Sequence, residues 1–442
     1  MKEYEVVIIG GGVTGTSLLY TLSNFTNIKS LALIEKEKNI ARINSNSTNN
    51  SQTLHFGDIE TNYSKEKAII VKEAAELVAG YVEKNGTHLF NKTKKMVLAV
   101  GDDEVKDLEN RYHEINDIFP KLKKIDRKEI ALIEPNIVKG RKPKQKILAL
   151  CSEDGYAINY RKLSKSFVEK SLKTNKTIDL MMNTKVEDIK KENKEENYII
   201  KIKKETNTNK ETISAKVVVV CAGAHSLILA RKLGHGKNLI IFPALGDFYT
   251  AKNALNNKVY TMQIKKIPFA AIHGDPDVEN PSLTRFGPTT KVLPILERRN
   301  PKTFFDFLQV FDLRLKSLKS IFNILYDKDI FPFVMRNFLY EIPFIGKRIF
   351  MKNIWKIIPS IKTNEVTFGK KIGGLRPQLV DRKERKLCMG EVKIIKENII
   401  FNMTPSPGAS VCLKNAQKDA ITTTSFLGLN FDEKRFLKKH RR

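Results

Sequence analysis

The sequence predicts an α/β fold in which a sheet of buried parallel strands is interleaved with a β-rich region that carries a helical insert. Three observations support this prediction. The chain begins with a strand–turn–helix–strand pattern over residues 1–35, and a later buried strand runs into a helix near residue 226. Residues 242–294 are rich in strand formers and proline turns. Residues 297–360 follow with a helical pattern, so two structural classes alternate along one chain.

The N-terminal unit has the pattern of a Rossmann-type dinucleotide site. The run Glu5–Ile9 is rich in β-branched residues and predicts a buried strand. It leads directly into residues 10–15, whose sequence is G-G-G-V-T-G. Gly10 permits the tight turn, Gly12 lets the backbone approach a pyrophosphate, and Gly15 lets the following helix pack close to the strand.

The rest of this unit supplies a helix N-terminus and an acidic residue. A helix predicted over Thr16–Phe25 would bring its unpaired N–H groups, near Val13 and Thr14, to the phosphates. The next strand, Leu31–Ile34, ends at Glu35, about twenty residues after the last motif glycine, where a carboxylate can accept hydrogen bonds from ribose hydroxyls. The complete pattern predicts a dinucleotide site, and its spacing alone allows either NAD or FAD.

The order of the segments predicts two interleaved domains. The dinucleotide-binding domain is expected to comprise residues 1–90, 148–235 and 365–432. The second domain, which would face the substrate and a membrane, is expected to comprise residues 91–147 and 236–364. In the first domain, a strand over Lys216–Cys221 ends in Ala222 and Gly223, small residues that allow close backbone approach to a ligand.

Composition limits the functional classes. No apolar run in the 442 residues approaches the ~18–20 residues that cross a bilayer, and the N-terminal strand is too short for a signal peptide, so a cytoplasmic protein is expected. The 4 cysteines are scattered without a C-x-x-C pair, so no metal site is expected. The net charge of +29 is compatible with an anionic membrane face. No nucleic-acid-binding signature is visible, so no nucleic acid partner is expected.

Three further stretches carry a resemblance to a known family. Residues 49–55, N-N-S-Q-T-L-H, continue to residues 60–63, E-T-N-Y, and are similar to a family block N-N-A-G-T-G-H…E-L-N-Y. Residues 374–377 are G-L-R-P, and residues 406–410 match the family's S-P-G-A-S. Together with the N-terminal unit, these stretches resemble malate:quinone oxidoreductases within the D-amino-acid-oxidase-like superfamily of FAD-dependent enzymes.

The resemblance implies FAD as the cofactor and the oxidation of a 2-hydroxy acid, L-malate to oxaloacetate in the tricarboxylic acid cycle, with a quinone as the electron acceptor. Alternatives within the superfamily are an L-2-hydroxyglutarate dehydrogenase and an amino-acid or amine oxidase. A flavin-binding membrane-surface protein without catalysis is an alternative from another class. The implied cofactor-binding residues are Gly10, Gly12, Val13, Thr14, Gly15, Glu35, Asn50, Val186, Ala222, Gly223, Gly408, Ala409 and Ser410. The last three are expected at a helix start, where N–H groups can face the reduced flavin.

Oxidation of a hydroxy acid requires a cation for the carboxylate and a base for the hydroxyl proton. Arg376 is the first candidate for the carboxylate because a guanidinium matches carboxylate geometry, and Arg285 would suit a second carboxylate. Histidine titrates near neutrality, so His55 and His273 are both candidates for the base. The choice between the two histidines stays open at this point, since either could instead be a structural residue.

The helical insert is a candidate membrane-binding surface. The Phe-rich and basic stretch Thr303–Lys356 could form helices that lie on an anionic membrane, where a quinone is reached. The alternative is that these phenylalanines form the core of the insert. The sequence thus predicts a protein that is peripheral on the cytoplasmic face of the inner membrane.

Overall fold

The computed structural model describes most of the chain in two sheets, one of eight strands and one of ten, with helices on their faces. Within the described residues, no helix is both long and apolar enough to cross a lipid bilayer. The described residues are 1–192, 197–205, 210–263, 272–311, 330–340, 342, 345–384, 386–388, 391–403 and 408–442.

The strands and helices have the following bounds. The strands are β1 (Lys2–Ile9), β2 (Ser30–Ile34), β3 (Phe90–Val100), β4 (Lys123–Ile125), β5 (Ile147–Ile158), β6 (Thr177–Met181), β7 (Thr184–Lys191), β8 (Tyr198–Lys204), β9 (Lys210–Val220), β10 (Leu239–Lys252), β11 (Lys258–Thr261), β12 (His273–Pro276), β13 (Leu283–Gly287), β14 (Lys291–Val292), β15 (Thr367–Asp381), β16 (Lys386–Leu387), β17 (Lys393–Lys396) and β18 (Ile399–Asn402). The helices are α1 (Val13–Phe25), α2 (Lys65–Asn85), α3 (Asp102–Ile115), α4 (Arg127–Ile133), α5 (Pro135–Val138), α6 (Tyr160–Leu172), α7 (His225–Lys232), α8 (Thr303–Val310), α9 (Ile330–Leu339), α10 (Ile345–Ile357), α11 (Cys412–Phe426) and α12 (Glu433–His440).

The eight-stranded sheet has the order β17-β18-β9-β1-β2-β6, and the hairpin β7–β8 extends from β9. β1 runs parallel to both neighbours, with Val6 opposite Leu31 on one side and Val217 on the other. One face packs against α1 and α11 and the other against α7, so these strands are continuous apolar runs, as a sheet covered on both faces requires. The predicted N-terminal unit is confirmed, with α1 beginning at Val13 rather than Thr16.

The ten-stranded sheet has the order β16-β15-β10-β13-β12-β11-β3-β5-β4, with β14 paired to β10. Its longest pairing is antiparallel and runs from Leu239 opposite Asp381 to Thr250 opposite Thr367. Helix α10 packs against this sheet through a cluster that includes Phe350. The predicted combination of a parallel nucleotide-binding sheet and a separate β-rich part is therefore confirmed.

Two segments lie in a different sheet from the one that the predicted domain ranges imply. Residues 148–158 and 367–381 were expected in the dinucleotide-binding domain. Instead, β5 pairs antiparallel with β3, and β15 pairs antiparallel with β10, within the ten-stranded sheet. These partners are distant in the chain, so the sequence pattern of either strand does not indicate them. The chain returns to the first sheet at α6, which packs against α1, and the two-domain division stays a prediction.

The helical insert is also more broken than predicted. A continuous helical region was expected over residues 297–360, but residues 297–302 are not helical and α8 begins only at Thr303. Pro301 explains this start, because proline lacks an N–H group and disfavours a helical conformation in the residue before it. Residues 312–329 of the predicted region lie outside the described residues.

Candidate active site

A cavity of about 900 Å³ lies at the carboxyl ends of β1, β2 and β9 and reaches across to the ten-stranded sheet. Ile9, Ile34 and Cys221, at these strand ends, line one part of it, and Arg376 of β15 lines the opposite part. Ligands in open α/β sheets bind outside the carboxyl ends of the strands. The cavity therefore occupies the position that the glycine motif predicts for a dinucleotide.

The glycine turn is built as the motif requires. Gly10 has a φ of 111°, a value that side chains disfavour, and a Cβ there would clash with the carbonyl of Cys221. A Cβ at Gly15 would clash with the carbonyl of Gly10, so Gly15 does not line the cavity but lets α1 pack directly on the turn. The first turn of α1 holds no acidic residue, and the N–H of Val13 already donates to Ser45 Oγ at 2.9 Å. The remaining N–H groups of this helix end are suited to an anion.

Glu35 closes the other side of this turn. Its Oε2 accepts a hydrogen bond from the N–H of Gly11 at 2.6 Å, and its Oε1 accepts one from the N–H of Glu37 at 2.9 Å. Burial raises the pKa of Glu35, and the two backbone N–H groups oppose this shift. Each carboxylate oxygen has a further lone pair for a ribose hydroxyl, so the geometry is compatible with the predicted role.

All the predicted cofactor-binding residues except Gly15 border the cavity. They are Gly10, Gly12, Val13, Thr14, Glu35, Asn50, Val186, Ala222, Gly223, Gly408, Ala409 and Ser410. Residues 408–410 form the turn directly before α11, which begins at Cys412, so the expected helix follows the motif, and a flavin contact of these residues stays a prediction. Residues 406 and 407 of the S-P-G-A-S motif lie outside the described residues.

The C-terminal turn is tied to the loop that carries His55. The N–H of His55 donates to Ser410 Oγ at 3.0 Å, and Ser410 Oγ donates to the carbonyl of Thr53 at 3.4 Å. The hydroxyl of Tyr160 donates to the same carbonyl at 2.9 Å. Residues more than 350 positions apart in the chain thus form one wall of the cavity.

His55 borders the cavity with one ring nitrogen already bonded. Its Nδ1 lies 2.6 Å from Glu60 Oε1, in a hydrogen bond to a nearly buried carboxylate. Although burial alone would raise it, the pKa of Glu60 is lowered because His55 hydrogen-bonds to the carboxylate. With Nδ1 engaged, Nε2 is the ring nitrogen that remains for chemistry in the cavity.

Arg376 borders the cavity from β15. Among the described residues, no carboxylate forms an ion pair with its guanidinium. Burial lowers the pKa of Arg376, and the nearby Tyr260 and Tyr63 oppose this shift. The strand comes close to the His55 loop because Gly374 has no side chain, and a Cβ there would clash with the carbonyl of Asn49. The arrangement leaves a partly desolvated cation that faces the cavity.

The other two catalytic candidates do not border the cavity. His273 Nδ1 lies 2.7 Å from Asp275 Oδ2, and the ring stacks on Tyr260 with 4.7 Å between ring centroids. Burial lowers the pKa of His273, although Asp275 opposes the shift. Arg285 is 2% exposed and donates to the carbonyl of Asn50 at 2.7 Å while it pairs with Asp277. Their catalytic roles stay predictions, and the contacts of both side chains are with other protein groups.

Sequence reasoning did not assign a role to Glu60 or to Tyr260. Glu60 begins the E-T-N-Y block, five residues after His55. This short spacing could have indicated that the two side chains pair. Tyr260 lies on β11 without a motif around it, and its hydroxyl lies 2.7 Å from Thr53 Oγ1. Only the pairing of distant strands brings Tyr260 close to Arg376.

Comparisons with known proteins agree with this geometry. A model of the family "Malate:quinone oxidoreductase (Mqo)" matches residues 2–416. The chain belongs to the malate:quinone oxidoreductase family. A "Probable malate:quinone oxidoreductase" from Campylobacter jejuni is 40% identical over 447 residues, covering 98% of both chains. A "Malate:quinone oxidoreductase" from Helicobacter pylori strain 26695 is 39% identical over 445 residues, covering 99% of this chain and 97% of the relative.

Solved structures support the fold of this malate:quinone oxidoreductase family member. An L-α-glycerophosphate oxidase from Mycoplasma pneumoniae with FAD bound superposes with a TM-score of 0.67 at 17% identity, covering 98% of this chain and 96% of that chain. A glycine oxidase from Geobacillus kaustophilus gives 0.65 at 14% identity, covering 96% and 95%. The predictions of family, fold class and an oxidoreductase that oxidises malate with a quinone acceptor are confirmed.

Proposed function

We propose that the cavity is the site at which this chain oxidises L-malate to oxaloacetate, with Arg376 as the carboxylate ligand and His55 as the base. The observation that carries this proposal is the shared cleft. The glycine turn, the C-terminal turn 408–410, Arg376 and His55 border one cavity, although they are widely separated in the sequence.

The cavity residues fit FAD. The volume of about 900 Å³ lies within the range of roughly 300–1,000 Å³ that cofactor and ligand sites span. Gly10, Gly12 and the start of α1 would hold the pyrophosphate, and Glu35 would hold the ribose. Residues 408–410 and His55 would lie beside the flavin ring. When bound, FAD supplies the ring that accepts the substrate's α-hydrogen together with its electron pair.

Arg376 and His55 supply complementary interactions for a 2-hydroxy acid. The guanidinium of Arg376 can bind the carboxylate through two parallel N–H groups. His55 Nε2 can take the hydroxyl proton, since the other ring nitrogen is held by Glu60. His273 is not proposed as the base, because its buried ring does not border the cavity.

The colour of the purified protein tests this function. The yellow holoenzyme should bleach when L-malate is added under anaerobic conditions, and added quinone should restore the colour. Bleaching by 2-hydroxyglutarate or an amino acid, with no response to malate, would reject malate as the substrate. A colourless protein that takes up no FAD would reject the redox function itself.

We further propose that the helical insert binds an anionic membrane on its cytoplasmic face and so brings the site close to a membrane quinone. Phe305 of α8 is 70% exposed and Ile345 at the start of α10 is 52% exposed. Exposed Arg336, Arg348 and Lys352 lie on α9 and α10, which follow α8 in the insert. Apolar side chains beside basic ones are typical of surfaces that lie on anionic lipid.

Liposome sedimentation tests this surface. Wild-type protein should sediment with vesicles that contain anionic lipid at low salt, and less at high salt. The double variant Phe305→Asp/Ile345→Asp should lose this binding, whereas Ile421→Asp, which changes a similarly exposed isoleucine on α11, should retain it. A wild-type protein that stays in the supernatant at low salt would contradict the proposal.

A further inference from the structure

The His55–Glu60 pair combines a histidine at the cavity with a carboxylate behind it. The side chain of His55 is 19% exposed, and that of Glu60 is 4% exposed. The hydrogen bond between them is short, with 2.6 Å between Nδ1 and Oε1. Glu60 Oε2 is buried and accepts no hydrogen bond in the part of the chain that the structure describes. A buried anion with so few partners is strongly stabilised by any positive charge on its neighbour.

Lys95 interacts electrostatically with Glu60 but forms its ion pair with another carboxylate. Lys95 Nζ of β3 lies 2.8 Å from Asp58 Oδ1, and both side chains are buried. Burial raises the pKa of Asp58, while Lys95 opposes that shift. Asp58, Glu60 and Lys95 therefore carry one more negative charge than positive when both carboxyl groups are ionised. Glu60, one of the two carboxylates that carry this excess negative charge, is hydrogen-bonded to His55.

The remaining charged and titratable groups around Glu60 have other contacts. Arg111 of α3 donates from Nη1 to Glu114 at 2.8 Å and from Nη2 to the carbonyl of Glu60 at 3.3 Å, so it binds the backbone of Glu60 rather than its carboxylate. Lys67 Nζ of α2 lies 4.0 Å from the ring centroid of Tyr63. Burial lowers the pKa of Lys67, and Glu60 opposes the shift.

Two tyrosines complete the surroundings on the side of Arg376. Burial raises the pKa of Tyr63 and of Tyr260, with Glu60 as a further cause in both cases, so both hydroxyls are neutral. Each tyrosine interacts electrostatically with both Glu60 and Arg376. A 2-hydroxy acid with its carboxylate on Arg376 would occupy the same cavity that His55 borders.

We propose that Glu60 is a positioning residue that holds His55 with Nε2 towards the substrate and stabilises the positive charge that the ring gains in the reaction. The inference rests on the proposed role of His55. The substrate O–H bond breaks, its electron pair stays on the oxygen, and the proton forms an N–H bond at Nε2. The imidazolium then lies against the Glu60 carboxylate in a poorly solvated site, where the ion pair is strong.

The variant Glu60→Gln tests this role because it keeps the shape and one hydrogen-bond acceptor but removes the charge. In the holoenzyme, kcat for malate should fall about 10- to 100-fold while KM changes little. This loss is smaller than the roughly 10²- to 10⁴-fold that a general base contributes, because His55 itself remains. The acidic limb of the kcat/KM profile should move to lower pH. Glu134→Gln is the matched control, since Glu134 is also buried but binds the backbone N–H groups of Asn256 and Asn257 away from the cavity.

A double-variant cycle separates this inference from the proposed function. If Glu60 acts through His55, adding Glu60→Gln to His55→Asn should cause almost no further loss of kcat. If His55→Asn alone has full activity, the proposed function of His55 fails. If His55→Asn is impaired but Glu60→Gln shows a normal kcat and pH profile, only the role of Glu60 is wrong. Equal losses in Glu60→Gln and Glu134→Gln, with unmoved pH profiles, would also overturn it, because both would then be structural.

Discussion

The protein contains two histidine–carboxylate pairs with nearly the same spacing and different surroundings. The Nδ1 of His55 lies 2.6 Å from Glu60, and that of His273 lies 2.7 Å from Asp275. His55 borders the cavity, whereas His273 is buried against Tyr260. A histidine–carboxylate pair is thus not in itself a catalytic unit, since a base must also reach the substrate.

The two pairs also differ in their charge balance. Lys258 Nζ lies 3.6 Å from Asp275 Oδ2 and donates to Thr53 Oγ1 at 3.3 Å, so Asp275 already has a buried cation. Although burial opposes it, the attraction of His273 and Lys258 lowers the pKa of Asp275 to about 2. Glu60 has no such dedicated cation among the described residues. With a neutral His273, the charges of Asp275 and Lys258 therefore cancel. The charges of Asp58, Glu60 and Lys95 cancel only when His55 adds a positive charge.

The largest expected difference between the pairs is in turnover. His55→Asn should lower kcat for malate by about 10²- to 10⁴-fold, the usual contribution of a general base, and leave FAD bound. His273→Asn should keep kcat close to wild type but lower the melting temperature, because it disturbs a buried, stacked side chain. Steady-state kinetics and thermal unfolding of both variants measure this. A strong loss of kcat in His273→Asn with a normal melting temperature would reverse the assignment.

The two arginines give a second, smaller contrast. Arg376→Ala should raise KM for malate about 10- to 100-fold, since it removes charge-assisted hydrogen bonds to the carboxylate. FAD content should not change. Arg285→Lys should leave KM unaltered and lower stability, because Arg285 ties Asn50 and Asp277 together. An unchanged KM in Arg376→Ala would remove this residue from the substrate site.

The smallest effect concerns stability at acid pH. The folded protein lowers the pKa of His273 below its ordinary value of 6.5, chiefly through burial. The stability that this group contributes is therefore fully present above about pH 6.5 and is lost as the pH falls below that value. His273→Gln should flatten the decline in melting temperature over this range by a few degrees. An equally steep decline in the variant would show that other groups cause it.

The sequence predicted those parts of the site that are built from neighbours in the chain. The glycine turn and Glu35 belong to one continuous unit, in which spacing and residue type already determine the geometry. Arg376, singled out by the G-L-R-P motif, borders the cavity, and its role as carboxylate ligand stays a prediction. Local patterns of this kind need no knowledge of which strands pair.

The remaining features depend on pairings between distant segments. His55 and His273 could not be ranked from sequence, because only the register of β12 with β11 and β13 buries His273. For the same reason the sequence does not indicate that β5 pairs with β3 or that β15 pairs with β10. Glu60 lies close to His55 in the chain, but its meaning depends on Lys95 being neutralised by Asp58, which no motif indicates.

A crystal structure of the holoenzyme with malonate, a non-reactive diacid, would test the central claim most directly. The account predicts the adenosine of FAD at Glu35, its ring beside Ser410, and one malonate carboxylate on Arg376 within reach of His55. Malonate bound next to His273, or FAD outside the cleft between the glycine turn and residues 408–410, would contradict it.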